Sequence, residues 1–179
     1  MNYLKKVADV IDAINERVGR FVSWITALLV LVVFTDVVMR YTLDISFVFT
    51  QELEWHIFGF IFLIGAGYTL LHEGHVRVDI LYQRLSGKGK AWINLIGCIF
   101  FMAPGCLLII ITSWGFTVTS FNMMEGSPDP GGIPMRFLLK GCIPVGFFLL
   151  GLQGVSLFIR SLLIVTGREE APVGEGEEA

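Results

Sequence analysis

Four long blocks of apolar residues constrain this chain more than any other feature of its sequence. They span residues 21–39, 55–71, 91–124 and 141–159. A helix needs about 20 mostly apolar residues to cross the roughly 30 Å hydrocarbon core of a bilayer. The blocks therefore predict an all-α integral membrane protein with four transmembrane helices. We expect these helices at about residues 21–41, 52–71, 91–118 and 137–160.

The overall composition also favours a membrane protein. Of 179 residues, 54% are hydrophobic and 16% are charged, against about 25% charged in a typical soluble domain. The third block exceeds the length of one span and contains Pro104, which is expected to kink the helix. No basic patch with interleaved aromatic residues indicates nucleic-acid binding. The three cysteines lie inside apolar blocks and form no C-x-x-C motif, so they indicate no disulfide framework.

The first 20 residues predict an N-terminal amphipathic helix, because apolar residues from Leu4 to Val18 recur at helical spacing between charged ones. This helix would lie at the membrane surface or extend the first span, and a docking surface for a partner is the alternative. Alternating charge is not typical of a secretory signal. The acidic, glycine-rich tail at residues 166–179 has no aromatic residue and is expected to be disordered.

The lysines and arginines predict the orientation of the spans. Ten of the thirteen lie in the N-terminal segment, in the loop after the second span, or in the tail. Only Arg40, Arg136 and Lys140 lie in the other two loops. Cytoplasmic loops carry the excess of positive residues, so both termini are expected in the cytoplasm.

The stretch HEGHVRVDIL at residues 72–81 raises the question of a metal or catalytic site. The histidines of a zinc-protease helix are four residues apart, whereas His72 and His75 are three apart with Gly74 between them. Apart from Glu73 and Asp79, no further ligand stands nearby in the sequence. The stretch therefore favours a polar loop with a short interfacial helix, in which Arg77 and Asp79 are free to contact another segment. No metal, haem or other cofactor is expected.

Charged residues around the first outer loop are the main candidates for an interface or a structural charge network. Asp36 and Arg40 are four residues apart, which is the spacing of a helical ion pair. Arg40 could equally pair with Glu52 or Glu54 across the loop. A charge in the outer part of a membrane helix is costly unless it is paired or faces protein or water. Structural pairing is therefore favoured over partner contact, and proton relay is the weakest interpretation.

The start of the second span has its own local signals. Thr50 is a candidate cap for this helix, and the two glutamates suit its positive N-terminal end. Glu52 and His56 share a helix face. The second outer loop, NMMEGSPDPGGIPMR, is rich in proline and glycine, so it predicts a stiff, irregular turn suited to an exposed contact surface.

Several motifs together resemble the small membrane subunit of tripartite ATP-independent periplasmic (TRAP) transporters, the DctQ-type family. They are V-V-x-R-Y at residues 37–41, E-L-x-W at 52–55 and H-x-R-V-D at 75–79. The stretch SPDPGGIPMRFLLKGCIPVGFFLLGLQGV is similar to the proline-marked start of the family's last helix. The resemblance covers about residues 20–165 and rests on the order of these motifs and on their placement in the four predicted spans.

The resemblance implies a non-enzymatic subunit of an organic-acid importer in the bacterial inner membrane. Its partners would be a large multi-span membrane subunit, a periplasmic solute-binding protein and membrane lipid. The small subunit would brace the large one and help dock the binding protein, while an ion gradient, usually sodium, drives uptake. Residues assigned to the interface or structural charge network are Asp36, Arg40, Glu52, Glu54, His56, His75, Arg77 and Asp79. A self-assembling channel or small transporter is the alternative, and a histidine-ligated membrane redox protein is a weaker one.

Overall fold

The computed structural model describes residues 2–72 and 85–169, and this part of the chain is helical, with no β-strand. His75, Arg77, Asp79 and most of the predicted acidic tail lie outside the described residues. The helices are α1 (Asn2–Leu43), α2 (Val48–Ile64), α3 (Ala66–Leu71), α4 (Gly87–Gly97), α5 (Ala103–Asn122) and α6 (Phe137–Val165). A π-helical turn, Cys98–Met102, joins α4 to α5.

Three helical stretches in the described part are long and apolar enough to cross a membrane. They are Tyr3–Leu43, Gly87–Asn122 and Phe137–Val165. The second predicted span is instead divided at Gly65 into α2, of 17 residues, and α3, of 6 residues. Backbone hydrogen bonds nevertheless continue through the division, from the N–H of Gly65 to Ile61 at 2.9 Å and from the N–H of Thr69 to Gly65 at 3.0 Å.

Helix α1 is one unbroken helix of 42 residues. At a rise of 1.5 Å per residue it is about 63 Å long, roughly twice the thickness of a hydrocarbon core. Its N-terminal part packs along the C-terminal half of α6, where Ala8, Ile159 and Leu163 form a buried apolar cluster. The N-terminal amphipathic segment is therefore continuous with the first predicted span and contacts the bundle.

The predicted irregularity at Pro104 takes the form of the π-helical turn. Proline has no N–H, and its ring clashes with the carbonyl four residues earlier, which disturbs the α-helical ladder. Directly before it, the N–H of Ala103 bonds to the carbonyl of Cys98, five residues back. This wider turn lets a single helical stretch continue from Gly87 to Asn122.

Helix α6 packs closely against α2. A Cβ atom at Gly146 would collide with the backbone carbonyl of Leu63, so only glycine permits this approach. Small residues at helix interfaces are a common means of close packing in membrane proteins.

Much of the outer surface of the bundle is apolar. Large side chains exposed on α1 and α5 include Trp24, Leu31, Phe34, Leu108, Ile111 and Trp114. Exposed apolar faces of this extent require cover by lipid or by another protein. Buried polar or charged side chains include Asp36 and Glu52 near one end of the bundle and Asn15, Ser156 and Ser161 towards the other.

Candidate functional site

Glu52 organises a polar network at the end of the bundle that carries the α1–α2 and α5–α6 loops. Glu52 is buried, with only 5% of its surface exposed. The carboxylate accepts hydrogen bonds from the Ser127 hydroxyl at 2.5 Å, the Ile133 N–H at 2.5 Å and the Arg136 guanidinium at 3.1 Å. All three donors belong to the segment between α5 and α6. We call Glu52, Ser127, Ile133 and Arg136 the loop-side network.

The α5–α6 loop is shaped to reach this carboxylate. A Cβ atom at Gly132 would lie 2.6 Å from a Glu52 oxygen, so glycine leaves the space that the carboxylate fills. The Ser127 hydroxyl also accepts a hydrogen bond from the Asp129 N–H at 3.1 Å. Arg136 lies 5.4 Å from the centre of the Trp55 ring, which adds a cation–π contact. The network therefore fixes an irregular loop to the first turns of α2.

A second ion pair holds the base of the same loop. Lys140 on α6 donates to Glu125, and the Glu125 carbonyl accepts from the Arg136 N–H at 2.8 Å. The hydrogen bond from Lys140 holds the pKa of the Glu125 carboxyl below its ordinary value. The loop is thus tied at both of its ends, while residues 128–131 at its tip are exposed.

Asp36 and Arg40 form an ion pair along one face of α1. The Asp36 side chain is fully buried, whereas that of Arg40 is 46% exposed. Within the described residues, the second Asp36 oxygen, Oδ1, is buried without a hydrogen-bond partner. The alternative pairing of Arg40 with Glu52 does not occur, since Glu52 binds Arg136 instead.

The other predicted residues of α2 stand beside the loop-side network. The ring Nδ1 of His56 donates to the Glu52 carbonyl at 2.7 Å, and its Nε2 is buried without a partner in the described part of the chain. One Glu54 oxygen, Oε1, is likewise buried and unpartnered there. The prediction that Thr50 caps α2 is wrong, because the helix starts earlier, with Phe47 at the N-cap position and no side-chain cap.

A polar network that the sequence did not predict lies at the opposite end, between α1 and α6. Asp12 accepts hydrogen bonds from Gln153 at 2.8 Å, from Ser156 at 2.6 Å and from Arg160 at 2.9 and 2.5 Å. The Asn15 amide donates to the Gln153 side-chain oxygen at 2.8 Å. We call these five residues the terminus-side network.

The terminus-side network fixes α1 antiparallel to α6. Asn15 meets Gln153, and Asp12, one turn earlier, meets Ser156. Lys5 lies 3.0 Å from Glu169. Gln153 could have signalled this network, because it is the one side-chain amide in the charge-free, mostly apolar block from Gly141 to Ile159. A buried amide in such a block requires a hydrogen-bond partner.

His72 is the one histidine of the HEGHVRVDIL stretch within the described residues. Its Nε2 lies 2.8 Å from a Glu16 oxygen, and its ring contacts that of Tyr68 in a tilted arrangement, with the ring centres 4.4 Å apart. Across residues 2–72 and 85–169, no three histidine, cysteine, aspartate or glutamate side chains cluster in a way that could hold a metal ion.

Comparison with known proteins identifies the family of this chain. Residues 29–163 match the family model described as "Tripartite ATP-independent periplasmic transporters, DctQ component". The chain belongs to the DctQ family of TRAP transporter small permease subunits. The predicted resemblance and the prediction that the chain is not an enzyme are therefore confirmed.

Individual relatives of this DctQ-family subunit come from several bacteria. A Haemophilus influenzae protein, whose name places it among TRAP transporter small permease proteins, is 31% identical over 119 residues, covering 65% of this chain and 73% of its own. The ectoine TRAP transporter small permease protein TeaB of Halomonas elongata is 24% identical, with coverages of 90% and 84%. A C4-dicarboxylate TRAP transporter small permease protein of Vibrio cholerae is 22% identical, with coverages of 99% and 82%. No solved structure gives a significant match.

The residues matched by the family model include all of one network of the small permease subunit but only part of the other. All of the loop-side network lies inside the matched residues 29–163. Of the terminus-side network, Gln153, Ser156 and Arg160 lie inside this range, whereas Asp12 and Asn15 lie before it. Membership of a transporter family favours the role of a permease subunit over the redox alternative.

Proposed function

We propose that this small permease subunit braces the large membrane subunit of a TRAP importer and presents its α5–α6 loop to a periplasmic solute-binding protein. The observation that carries the proposal is the buried Glu52 carboxylate, which binds three donors of that loop. Such a tie keeps an irregular, proline-rich segment in one conformation, and a preformed surface costs less entropy on binding. The exposed tip at residues 128–131 is the proposed contact.

We propose four membrane spans, with α2 and α3 together forming the second. Exposed aromatic residues support the membrane position, since Trp24 and Tyr41 on α1 lie about 25 Å apart at 1.5 Å per residue. Exposed Trp92 and Trp114 similarly bracket the α4–α5 stretch. Tryptophan and tyrosine are enriched at the two membrane–water interfaces. The spans would lie in the bacterial inner membrane.

Both termini are proposed to be cytoplasmic. The ion pair between Lys5 and Glu169 brings the two ends of the described chain together, which supports their location on one side of the membrane. Ten of the thirteen lysines and arginines belong to segments on that side. The loop-side network would then face the periplasm, where the solute-binding protein is located.

The transported solute is proposed to be an organic acid or a related small solute, moved by an ion gradient, with sodium as the coupling ion. The names of two relatives specify ectoine and C4-dicarboxylates, both of which carry carboxylate groups. The apolar surfaces of the present helices offer no polar pathway of their own within the described part. Solute selection and ion coupling are therefore assigned to the partner subunits.

The docking role is tested by measuring the affinity of the cognate solute-binding protein for the complex of both membrane subunits in lipid nanodiscs. Asp129→Lys reverses a charge on the exposed tip and is expected to weaken binding about tenfold. Lys88→Glu, an opposite charge reversal at an exposed position at the other end of the bundle, serves as the control. Equal affinities for the wild type and Asp129→Lys would contradict docking through this loop.

A further inference from the structure

One face of α1 carries an apolar stripe that no part of the described chain covers. Its members are Tyr3, Val10, Ile14, Phe21, Trp24 and Leu28, all of them exposed. We call them the α1 stripe. Successive members are three, four or seven residues apart, so they lie on the same side of the helix. This is the spacing by which one helix packs lengthwise against another.

Lipid tails do not account for the part of the stripe that precedes Arg20. Tyr3 is 77% exposed and Val10 is 59% exposed, in a segment that also carries Lys5, Asp9 and Asp12. Charged residues at this density are excluded from the hydrocarbon core of a bilayer. The stripe therefore continues from the apolar span into a region where acyl chains are absent.

The direction of α1 also prevents this segment from lying flat on the membrane. An in-plane amphipathic helix would require a sharp bend between this segment and the start of the first span. Instead α1 is one unbroken helix without proline. The contacts of Asn15 with Gln153, Asp12 with Arg160 and Lys5 with Glu169 hold it along α6 to the end of the bundle.

Two cations lie on the same face as the α1 stripe. Lys6 is three residues from Tyr3 and four from Val10, and Arg17 has the same spacing to Ile14 and Phe21. Both are exposed, and neither forms an ion pair within the described residues. The face thus presents apolar side chains alternating with positive charge.

We infer that the α1 stripe binds a helix of the large membrane subunit that continues out of the bilayer on the side of the termini. This inference rests on the proposed function. The bound face of that helix would combine apolar residues with acidic ones, which complement Lys6 and Arg17. A second copy of this chain is a poor occupant, because two such faces would bring like charges together.

The test is co-purification of the full-length chain with a tagged large subunit after co-expression and extraction in detergent. The double substitution Val10→Gln and Ile14→Gln is expected to lower recovery of the small subunit at least tenfold. Leu4→Gln is the matched control, since Leu4 is an exposed apolar residue on another face of the same segment, and its recovery should stay within twofold of wild type. Conservative replacement by leucine at positions 10 and 14 should restore recovery.

A second measurement separates loss of binding from loss of folding. The replaced side chains are exposed, so the thermal unfolding of the isolated double variant in detergent should match that of the wild type. A charge variant, Lys6→Glu with Arg17→Glu, should also lower recovery without changing this unfolding.

Three results would overturn the inference. One is unchanged recovery of the double glutamine variant. Another is stabilisation of the isolated wild type, but not of this variant, by anionic lipid vesicles, which would assign the stripe to lipid. The third is crosslinking of two small subunits through position 10. If the wild-type chain itself fails to co-purify with the large subunit, the proposed function fails and the inference fails with it.

Discussion

The loop-side and terminus-side networks use the same pair of chemical groups for different purposes. In each, an arginine near one end of α6 binds a carboxylate from the α1–α2 hairpin: Arg136 binds Glu52, and Arg160 binds Asp12. At the terminus side, the partners lie on two long helices that also share apolar contacts. At the loop side, two of the three donors to Glu52, the Ser127 hydroxyl and the Ile133 N–H, belong to the irregular segment between α5 and α6.

The helix dipole makes the two arginines unequal. Arg136 is the N-cap residue of α6, where a positive charge is unfavourable, whereas Arg160 lies five residues before the last helical residue, Val165, and so outside the last turn. Glu52 therefore compensates an opposed charge in addition to holding the loop. The loop-side network depends on one carboxylate, whereas the terminus-side network has further support from Asp9, which also binds Arg160.

The sharpest way to break the loop-side network is Glu52→Gln. This variant weakens the pairing of Arg136 and replaces one acceptor oxygen with an amide donor that faces existing donors. We expect the Tm of the purified subunit to fall by about 6–12 °C, with a loss of solute-binding-protein affinity in the assembled complex. Glu54→Gln, two residues away on the same helix, is the control and should change the Tm far less. Similar shifts for the two variants would contradict a special role for Glu52.

At the terminus side, Asp12→Asn should have a smaller effect. The substitution weakens the bonds to Gln153, Ser156 and Arg160, but Asp9 and the apolar cluster still hold α1 on α6. A loss of about 2 kcal/mol corresponds to a fall in Tm of about 4–8 °C. Binding of the solute-binding protein to the assembled complex should be unchanged, and weaker docking in this variant would show that the two ends are not independent.

Arg40→Ala tests the contribution of the Asp36–Arg40 ion pair near the end of α1. The variant removes the ion-pair partner of the buried Asp36, and the cost is limited because the Arg40 side chain of the pair is 46% exposed. We expect the stability of the assembled complex to fall by about 1 kcal/mol, or about 2–4 °C in Tm. Asp36→Asn should suppress the effect of Arg40→Ala in the double variant. Unchanged assembly and uptake in Arg40→Ala would argue against any contribution from the pair.

The smallest effect is expected from Glu125→Gln at the base of the loop. Because the Lys140 hydrogen bond lowers the pKa of Glu125 in the folded state, the ionised pair adds stability above the ordinary pKa of 4.5. This contribution is lost as the pH falls through the lowered value. The variant should melt about 1–2 °C below the wild type at pH 7, and the difference should disappear as the pH decreases below 4.5. A constant difference across this range would exclude the linkage.

Local spacing predicted part of the site. The separation of four residues from Asp36 to Arg40 was sufficient to suggest the pair that the structure shows. The partner of Glu52 could not be read in this way, because Arg136 lies 84 residues further along the chain. The terminus-side network joins residues more than 130 positions apart, and only the packing of α1 against α6 brings them together.

The apolar blocks predicted the helical membrane fold but not its irregularities. Hydropathy does not show that Gly65 divides the second span, since residues 57–71 on both sides of the division are uncharged and mostly apolar. The effect of Pro104 was predicted as a kink, whereas the structure places a π-helical turn directly before it. The described part of the chain contains three helical stretches that are long and apolar enough to cross a membrane, and the fourth span stays a prediction.

We propose that this chain supports transport by holding its partner subunits, and that its described helices contain no transport pathway of their own. The most direct measurement is solute uptake into vesicles under a sodium gradient, with the chain alone, with its cognate large subunit and solute-binding protein, and with those partners but without the chain. We predict uptake only when all three proteins are present, and reduced uptake when Glu52→Gln replaces the wild type. Substantial solute flux from vesicles that contain the chain alone would contradict the account.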